Sequence, residues 1–457
     1  MDRTSTKALL RKIFDAAVAA AHPASCLPPA LPGVPGKGRI ILLAAGKAAG
    51  SMSEVAEGHY FRQGFPPERI EGIAVTRHGY GRPTRRIEMA EAGHPVPDAA
   101  GVAATERVLL LARSSKETDL VLVLLSGGAS ANWIAPAPGV SLDDKRALTR
   151  ALLASGADIR EINTVRKHLS RIKGGRLAAL AGRAKMLTLA ISDVPGDDPS
   201  VIGSGPTVPD PSTLADAEAI LRRRKVEISP AVARALRDPV NETPKPGAAV
   251  FARGEYRIIA RPADALAAAV RAAREQGLTP IVLDDRVEGE AREVARDHAR
   301  QALAVTGQGK RTLLLSGGEL TVTLQGKGQG KGRGGPNQEY ALALALALDG
   351  AAHIAAVAGD TDGTDGGVGR PDDPAGAFID NTTLMRARAL GLDAARFLAE
   401  NDSSGFFERL GDLLAPGPTC TNVNDLRAIL VDTSAPNSKF AQNGPQVRLR
   451  TSGSKGH

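Results

Sequence analysis

A lysine at a glycine turn is the first group in the chain that could bind a phosphate. The run RIILLAAGKAAGSMSE places Lys47 directly after Gly46, between an apolar segment that predicts a strand and a segment that predicts a helix. Glycine lets backbone N–H groups approach an anion, and the N-terminus of a helix adds partial positive charge. The turn is not a Walker A loop, because Ile41 and Ala48 stand where that motif has glycine and serine or threonine. Taken alone, Lys47 is equally well explained as a surface lysine that contributes little to the core.

Two further turns combine glycine with serine after predicted strands. Ser126, Gly127 and Gly128 follow the strand LVLVLL, and Ser204 and Gly205 lie in the loop after the strand MLTLAI. Turns of this kind present backbone N–H groups that suit phosphate. Glycine pairs also occur in tight turns for steric reasons alone, so this alternative stays open.

Acidic side chains also collect where predicted strands end. Asp193 follows MLTLAI in the loop SDVPGDD, Glu319 follows TLLLSGG, and Asp362 and Asp365 lie in the glycine-rich loop GDTDGTDGG. Mg²⁺ takes one or two carboxylates together with waters and phosphates, and the dense first loop favours such a site over simple helix capping. The last loop lacks the glutamate at the twelfth position of an EF-hand, so a Ca²⁺ site of that type is not expected.

The predicted strands alternate with predicted helices such as 101–113, 143–155 and 263–276, a pattern typical of α/β layers with mostly parallel strands. Ligands of such sheets bind beyond the carboxyl ends of the strands, where the turns and carboxylates described above lie. A chain of 457 residues exceeds one hydrophobic core, and prolines and polar residues near 225–250 indicate a domain boundary.

Several segments have a more local interpretation. The basic run EINTVRKHLSRIKGGRLAALA predicts a helix that ends at Gly174 and Gly175 and restarts, with one or two basic residues able to bind a carboxylate or phosphate. EYALALALALD at 339–349 predicts a buried helix, and GKGQGKGRGG at 326–335 predicts a mobile loop. Within that loop GKGRGG fits G-x-G-x-x-G, which keeps a dinucleotide site open as an alternative, although the preceding strand ends too early.

The composition of the chain indicates which classes of binding partner and which cellular compartment to expect. The net charge of +8 suits anionic partners, but no stripe of aromatic and basic residues accompanies it, so specific nucleic-acid binding is not expected. Two distant cysteines fit a reducing compartment, and no apolar run reaches the length of a membrane span, which predicts a cytoplasmic protein without a membrane partner. The sequence does not specify the oligomeric state, and a homodimer is compatible with it.

The chain resembles the class II glycerate 2-kinases, the family with a C-terminal MOFRL domain, in nine segments that occur in the family's order and span most of residues 8–432. They are AAGKAAGSM, EAGHPVPD, LLSGGASANW, INTVRKHLSRIKGGRLA, ISDVPGDDPSVIGSGPTVPD, SGGELTVTL, GRGGPNQEYALA, AGDTDGTDG and PGPTCTNVNDLRAIL. The resemblance implies an α/β protein with two domains and an active site in the cleft between them. Its expected parts are an N-terminal Rossmann-like domain with a parallel sheet (1–240), a connecting α/β segment (241–310), a MOFRL domain (311–432) and a disordered tail (433–457).

The resemblance further implies phosphorylation of D-glycerate at its 2-hydroxyl by ATP with Mg²⁺, giving 2-phosphoglycerate and ADP. Lys47 is then expected to contact the transferring phosphoryl oxygens, and Asp193 to bind Mg²⁺ or orient the attacking hydroxyl. The residues expected to hold the nucleotide are Ser126, Gly127, Gly128, Ser204 and Gly205, with Glu319 on the opposing wall. The further candidates for metal binding are Asp362 and Asp365, and those for the substrate carboxylate are Arg166, Lys173 and Arg333.

One departure from the family pattern concerns an anion-binding residue. Many members carry arginine in a GGRNQE segment, where this chain has Pro336. Proline also occurs there in a bacterial branch of the family, so loss of activity does not follow, and Arg333 is expected to substitute as a catalytic residue. Members of that branch have often been labelled hydroxypyruvate reductases, so NAD(P)H-dependent reduction of hydroxypyruvate is the alternative function.

Overall fold

The structure is a computed structural model that describes residues 2–324, 332–366, 370 and 372–433. The predicted tail at 433–457 lies outside the described residues apart from Thr433, and so do residues 326–331 of the predicted mobile loop. Residues 332–335 of that loop are described and contact the turn around Asp402, whose carboxylate accepts a hydrogen bond from the Arg333 N–H at 3.0 Å.

The first part of the chain forms a six-stranded sheet. Its strands are β1 (Ile40–Ala45), β2 (Ile70–Arg77), β3 (Ile87–Ala92), β4 (Leu120–Leu125), β5 (Lys185–Ile191) and β6 (Gly254–Ala260). They lie in the order β3-β2-β1-β4-β5-β6, and every neighbouring pair is parallel. The central strands β1 and β4 are buried throughout and consist of Ile, Leu, Val and Ala, as expected for strands covered on both faces. The predicted Rossmann-like parallel sheet is confirmed.

The second part of the chain builds a mixed sheet. Its strands are β7 (Thr279–Asp284), β8 (Gly289–Glu290), β9 (Arg311–Ser316), β10 (Leu320–Thr321), β11 (Ile354–Asp360), β12 (Gly376–Asp380), β13 (Leu413–Leu414) and β14 (Asp425–Asp432). Apart from the separate pair β8 and β10, they lie in the order β13-β12-β11-β14-β9-β7, where β7 and β9 are parallel and the other neighbours antiparallel. The expectation of mostly parallel strands is wrong here, because β11 and β12 follow each other with no helix among the described residues between them.

Helices cover both sheets. Their bounds are α1 (Arg3–Ala21), α2 (Pro23–Cys26), α3 (Ala49–Arg62), α4 (Ala99–Ser114), α5 (Ala129–Asn132), α6 (Leu142–Ala154), α7 (Ile159–His168), α8 (Arg176–Ala181), α9 (Leu214–Arg223), α10 (Pro230–Arg237), α11 (Pro262–Glu275), α12 (Ala291–Ala304), α13 (Pro336–Leu348), α14 (Thr383–Ala389), α15 (Ala394–Ala399) and α16 (Ser403–Leu410). The three predicted helices correspond to α4, α6 and α11, and α13 is buried through most of its length, as predicted. The basic segment breaks earlier than predicted, because α7 already ends at His168.

The two sheets share a hydrophobic core that includes α1 and α11. The chain passes from one sheet to the other through α11, because β6 belongs to the first sheet and β7 to the second. Phe14 of α1 is completely buried and lies so close to β11 that a Cβ at Gly359 would be 3.0 Å from its ring. The two halves therefore form one packed unit, and the domain limits given above stay a prediction.

Replacing Phe14 by alanine is expected to lower the free energy of unfolding by about 3–5 kcal/mol, because the lost ring leaves a cavity in the shared core. Guanidinium unfolding followed by fluorescence and circular dichroism measures this loss. Lys12→Ala is the matched control, since Lys12 is exposed on the same helix and should change stability by no more than about 0.5 kcal/mol. Equal stability of the two variants would contradict the assignment of Phe14 to the core.

Candidate functional site

A cavity of about 200 Å³ lies where strand ends of the two sheets meet. Lys47 follows β1, Asp193 follows β5, Glu319 follows β9 and Asp360 ends β11. The other lining residues are Pro336, Asp365, Gly366, Asn422, Asn424 and Asp425. Side chains from both halves of the chain thus surround one space that is rich in carboxylates.

Lys47 forms an ion pair across the two halves of the protein. Its Nζ lies 2.5 Å from Oδ2 of Asp362, and the two side chains are 14% and 1% exposed. Burial opposes the charge on Lys47, but the carboxylates of Asp362, Asp360 and Asp193 outweigh it and raise the pKa of Lys47. Burial likewise opposes the charge on Asp362, and Lys47 outweighs it and lowers the pKa of Asp362. The interpretation of Lys47 as a surface lysine is therefore wrong.

The N–H groups of the Gly46 turn bind the protein itself. The Gly46 N–H donates to a carbonyl of β2 at 3.1 Å, the Lys47 N–H to Gly127 O at 2.8 Å, and the Ala48 N–H to Ser126 Oγ at 2.9 Å. A side chain at Gly46 would collide with Ser126, and its φ of 115° suits glycine. The expectation that this turn offers free N–H groups is wrong; the turn instead holds β1 against the loop after β4.

The loop after β4 keeps two N–H groups available. Among the residues that the structure describes, those of Gly127 and Gly128 make no hydrogen bond to the protein. Gly127 packs so closely that a Cβ would lie 2.0 Å from Oδ2 of Asp193, and a Cβ at Gly128 would lie 3.5 Å from Cγ of Lys47. Two free donors therefore lie beside Lys47, where they suit an anion.

His94 adds a neutral ring to this corner of the site. A Cβ at Gly128 would lie 2.9 Å from the His94 ring, and burial, followed by the charges of Lys47 and Arg77, lowers the pKa of His94 to about 3. Sequence reasoning missed this residue as a functional candidate, although its segment EAGHPVPD belongs to the resemblance. A neutral imidazole can donate or accept a hydrogen bond without adding charge.

Two asparagines from the C-terminal part position Asp193. Asn422 Nδ2 donates to Asp193 Oδ2 at 2.8 Å, and Asn424 Nδ2 donates to the Asp193 carbonyl at 2.7 Å. Removal from water raises the pKa of Asp193, although Lys47 acts in the opposite direction. Sequence reasoning assigned no role to the asparagines; the segment TNVND, which holds both, was the available signal.

Asp365 and Asp425 are tied to the first turn of α13. Asp365 accepts hydrogen bonds from the N–H groups of Asn337 at 3.0 Å and Gln338 at 2.8 Å, and Asp425 accepts one from Asn337 Nδ2 at 2.7 Å. Burial raises the pKa of Asp365 to about 7 and also raises the pKa of Asp425. Both carboxylates thus hold a helix in place while they line the cavity.

Glu319 and Asp360 complete the acidic lining. Removal from water, together with the carboxylates of Asp425 and Asp193, raises the pKa of Glu319 to about 7. Burial and the neighbouring Asp362 carboxylate raise the pKa of Asp360 well above its ordinary value. Burial therefore favours the neutral form of these carboxyls, and each carboxylate that remains charged further opposes the ionisation of its neighbours.

The predicted metal ligands do not form a preformed cage. Within residues 2–324, 332–366, 370 and 372–433, no three acidic, histidine or cysteine side chains converge closely enough to hold a metal ion. Asp362 forms an ion pair with Lys47, and Asp365 accepts hydrogen bonds from the first turn of α13. Asp193 is thus the predicted metal ligand that lines the cavity and makes neither of these interactions.

Other predicted residues lie outside the cavity lining. Ser204 is buried, where its hydroxyl contacts Asn163 Oδ1 at 3.1 Å, and the Gly205 carbonyl accepts a hydrogen bond from the Gly175 N–H at 2.7 Å. Both residues therefore fasten the loop after β5 to the segment before α8. Their nucleotide contacts stay a prediction.

The predicted substitute for the family arginine points elsewhere. Arg333 is largely exposed, and its Nη2 lies 2.5 Å from Oε2 of Glu408. Pro336, at the family's arginine position, lines the cavity and begins α13. In this structure Arg333 thus does not occupy the space that an arginine at 336 would reach.

The comparisons with known proteins agree with this architecture. The model described as "Domain of unknown function (DUF4147)" matches residues 9–237, and the MOFRL family model matches residues 312–425. The chain is 48% identical to a protein named "Putative hydroxypyruvate reductase" from Agrobacterium vitis, over 93% of this chain and 95% of that protein. It is 40% identical to D-glycerate 2-kinase from Thermotoga maritima, over 93% of this chain and 98% of that protein. The crystal structure of glycerate kinase from Thermotoga maritima superposes with a TM-score of 0.81 at 39% identity, over 94% of this chain and 100% of that chain.

Proposed function

The chain belongs to the class II glycerate kinase family and phosphorylates glycerate, and we propose that it transfers the γ-phosphoryl group of ATP to the 2-hydroxyl of D-glycerate with Mg²⁺. The observation that carries the proposal is a cavity lined by a charged lysine and several carboxyl groups, with two free N–H groups beside that lysine and Asp193. Phosphoryl transfer needs positioning and neutralisation of charge more than covalent chemistry, and these groups supply both.

Lys47 is proposed to stabilise the charge on the transferring phosphoryl group. Asp362 holds its ammonium at 2.5 Å, which keeps Lys47 charged and fixes its position in the cavity. The free N–H groups of Gly127 and Gly128 lie beside the Lys47 side chain and are proposed to bind phosphate oxygens. Donors fixed before the reaction stabilise developing negative charge without reorganisation.

Mg²⁺ fits the cavity through the chemistry of its lining. Burial raises the pKa values of Asp193 and Glu319, neighbouring carboxylates add to the effect at Glu319, and the phosphates of ATP would bring further negative charge into the cavity. Mg²⁺ keeps several waters and binds through one or two carboxylates plus phosphates, so a closed protein cage is not required. We propose that Asp193 holds the ion with Glu319 nearby; when bound, the ion would neutralise phosphate charge.

The reductase alternative depends on the glycine pattern at 330–335, and the described residues around that pattern do not fit the dinucleotide-binding fingerprint. The fingerprint requires a glycine turn directly between a strand and a helix. Here α13 follows Gly335, but the preceding strand β10 ends at Thr321, and residues 330 and 331 of the glycine pattern lie outside the described residues. The glycine pattern therefore gives reductase chemistry no support.

The decisive assay gives purified protein D-glycerate, ATP and Mg²⁺ and measures ADP. Enolase added alone should consume the product, because enolase acts on 2-phosphoglycerate directly; a product that first needs a mutase would place the phosphate on the 3-hydroxyl. L-glycerate is the matched control for the acceptor. Oxidation of NAD(P)H with hydroxypyruvate, together with no ATP turnover, would contradict the proposal.

Two features of the structure bear on where in the cell the protein acts. No helix in the described part of the chain is both long and apolar enough to cross a membrane. Cys26 and Cys420 are free, in line with the reducing, cytoplasmic location that we propose. A homodimer stays a prediction.

A further inference from the structure

Three cationic side chains lie together beside the loop after β4 without an acidic neighbour. Among the described residues, Lys145, Arg166 and Lys173 form no ion pair with any carboxylate, although each is largely removed from water. Burial lowers the pKa of all three, most strongly that of Lys173, and lowers that of Lys145 to about 7. A buried cation without a counter-charge is costly, so burial shifts the two lysines towards their neutral form, whereas an arginine keeps its charge.

Lys173 and Lys145 donate hydrogen bonds to backbone carbonyls. Lys173 Nζ donates to Ser130 O at 2.8 Å and to Trp133 O at 3.1 Å. Lys145 Nζ donates to Leu169 O at 2.9 Å, and its side chain is almost completely buried. Neither ammonium is therefore placed to take a ligand as its main partner.

Arg166 is different, because most of its donors remain free. Within the described residues its guanidinium makes one contact, from Nη2 to Ser130 O at 3.5 Å, out of the five N–H groups that an arginine carries. Its side chain is partly exposed, unlike those of the two lysines. It therefore combines partial access with unused donors, both of which the recognition of a carboxylate or phosphate requires.

The guanidinium contacts the same loop that carries the two free N–H groups. Arg166 contacts Ser130, which lies two residues after Gly128 in the chain. A Cβ added at Gly128 would lie 3.5 Å from the Lys47 side chain. The Gly128 carbonyl accepts hydrogen bonds from the first turn of α5, which holds this short loop rigid. One short loop therefore separates Arg166 from Lys47 and from the two free N–H groups.

We propose that Arg166 forms an oxyanion subsite that binds a negatively charged group of a reactant whose reacting end lies at Lys47. The inference rests on the proposed function, which supplies two such groups: the carboxylate of the hydroxy acid and a phosphate of the nucleotide. Of the three basic residues considered for the carboxylate, Arg333 is paired with Glu408 at the surface and Lys173 is bound by carbonyls. Arg166 is therefore the candidate among these three whose donors are largely unused in the described part of the structure.

The test measures binding and turnover for Arg166→Gln, Arg166→Lys and the control Arg160→Gln. Arg160 lies on the same helix, is exposed and forms no ion pair among the described residues, so its variant carries the same loss of charge without the subsite. For Arg166→Gln we expect Kd by calorimetry and KM to rise about tenfold or more for one reactant, as for the loss of a charged hydrogen bond, and less than about twofold for the other. A rise for D-glycerate assigns the subsite to the carboxylate, and a rise for ATP assigns it to a phosphate.

Arg166→Lys keeps the charge but loses the planar fork, so it should lie between the wild type and Arg166→Gln. Unchanged Kd and KM for both reactants in a folded Arg166→Gln protein would overturn the subsite; if that protein does not fold, unchanged values in Arg166→Lys overturn it. Inorganic phosphate provides a probe that does not depend on turnover. If the wild type fails to phosphorylate glycerate yet binds phosphate more tightly than Arg166→Gln, the proposed function fails and the subsite stands.

Discussion

Lys47→Ala is expected to lower kcat with D-glycerate and ATP by about 10²–10³-fold, the usual loss when one fixed donor to a charged transition state is removed. Lys47 is the cation whose ammonium lines the acidic cavity, and Asp362 fixes it from the other half of the chain. KM for D-glycerate should change less than kcat, because the charge acts mainly on the transferring group. Steady-state kinetics with saturating Mg²⁺ measures both.

Lys37→Ala is the control for this substitution, since Lys37 is an exposed lysine just before β1 and should retain wild-type kcat. Lys47→Arg keeps the charge in a larger, planar group and should recover little activity, because its geometry differs from that of an ammonium. A Lys47→Ala protein with the kcat of Lys37→Ala would reject Lys47 as the group that acts on the phosphoryl.

The same substitution should also reduce stability, which a surface lysine would not do. Without Lys47, Asp362 remains a buried carboxylate whose charge has lost its closest partner. The pKa of Asp362, now held low by Lys47, should rise, so the unpaired charge can be removed by protonation as the pH falls. The difference in free energy of unfolding between wild type and variant should therefore be largest at neutral pH and shrink on acidification. A difference that grows on acidification would contradict the ion pair.

Much of the site was predictable because it follows a local rule. Strands of this protein are short apolar runs such as Ile40–Ala45 and Leu120–Leu125, which the sequence displays directly. The residues after them must lie at the carboxyl edge of a parallel sheet, so Lys47 and Asp193 could be expected on one side of the molecule. Asp362, a predicted metal ligand from the second half, contacts Lys47, and the sequence analysis did not predict that pairing.

The parts that sequence reasoning missed depend on how the two sheets pack. Asn422 binds Asp193 across a separation of 229 residues, because β14 runs antiparallel to β11 and brings its preceding turn to the cavity. No periodicity or spacing encodes that contact. Arg333 was expected near the cavity because it lies close to Pro336 in the chain. Closeness in the chain does not set the direction of a side chain, and Arg333 instead pairs with Glu408 at the surface.

Asp193→Asn is expected to produce the second large loss, again about 10²-fold or more in kcat, because it removes the carboxylate charge that lies among Lys47, Gly127 and Asn422. Asp198→Asn is the matched control: it lies in the same loop, is exposed, and its Oδ1 accepts a hydrogen bond from the Ser200 N–H that an asparagine also accepts. The control should retain wild-type kcat. Equal kcat in the two variants would remove Asp193 from the catalytic machinery.

The dependence of kcat on Mg²⁺ concentration then separates the two roles open to Asp193. If its carboxylate holds the ion, Asp193→Asn should raise the Mg²⁺ concentration for half-maximal activity, and Asn422→Ala should raise it by about tenfold, since loss of a group that orients a metal ligand weakens metal binding by that order. If the carboxylate instead orients the attacking hydroxyl, kcat should fall in both variants while the Mg²⁺ requirement stays at the wild-type value. Asn422 donates to Oδ2 alone, so its removal perturbs the direction of the carboxylate without removing its charge. Asn422→Ala keeps all the carboxylates of the cavity and alters only the orientation of the Asp193 carboxylate. A higher Mg²⁺ requirement in this variant would therefore indicate that Asp193 binds the ion.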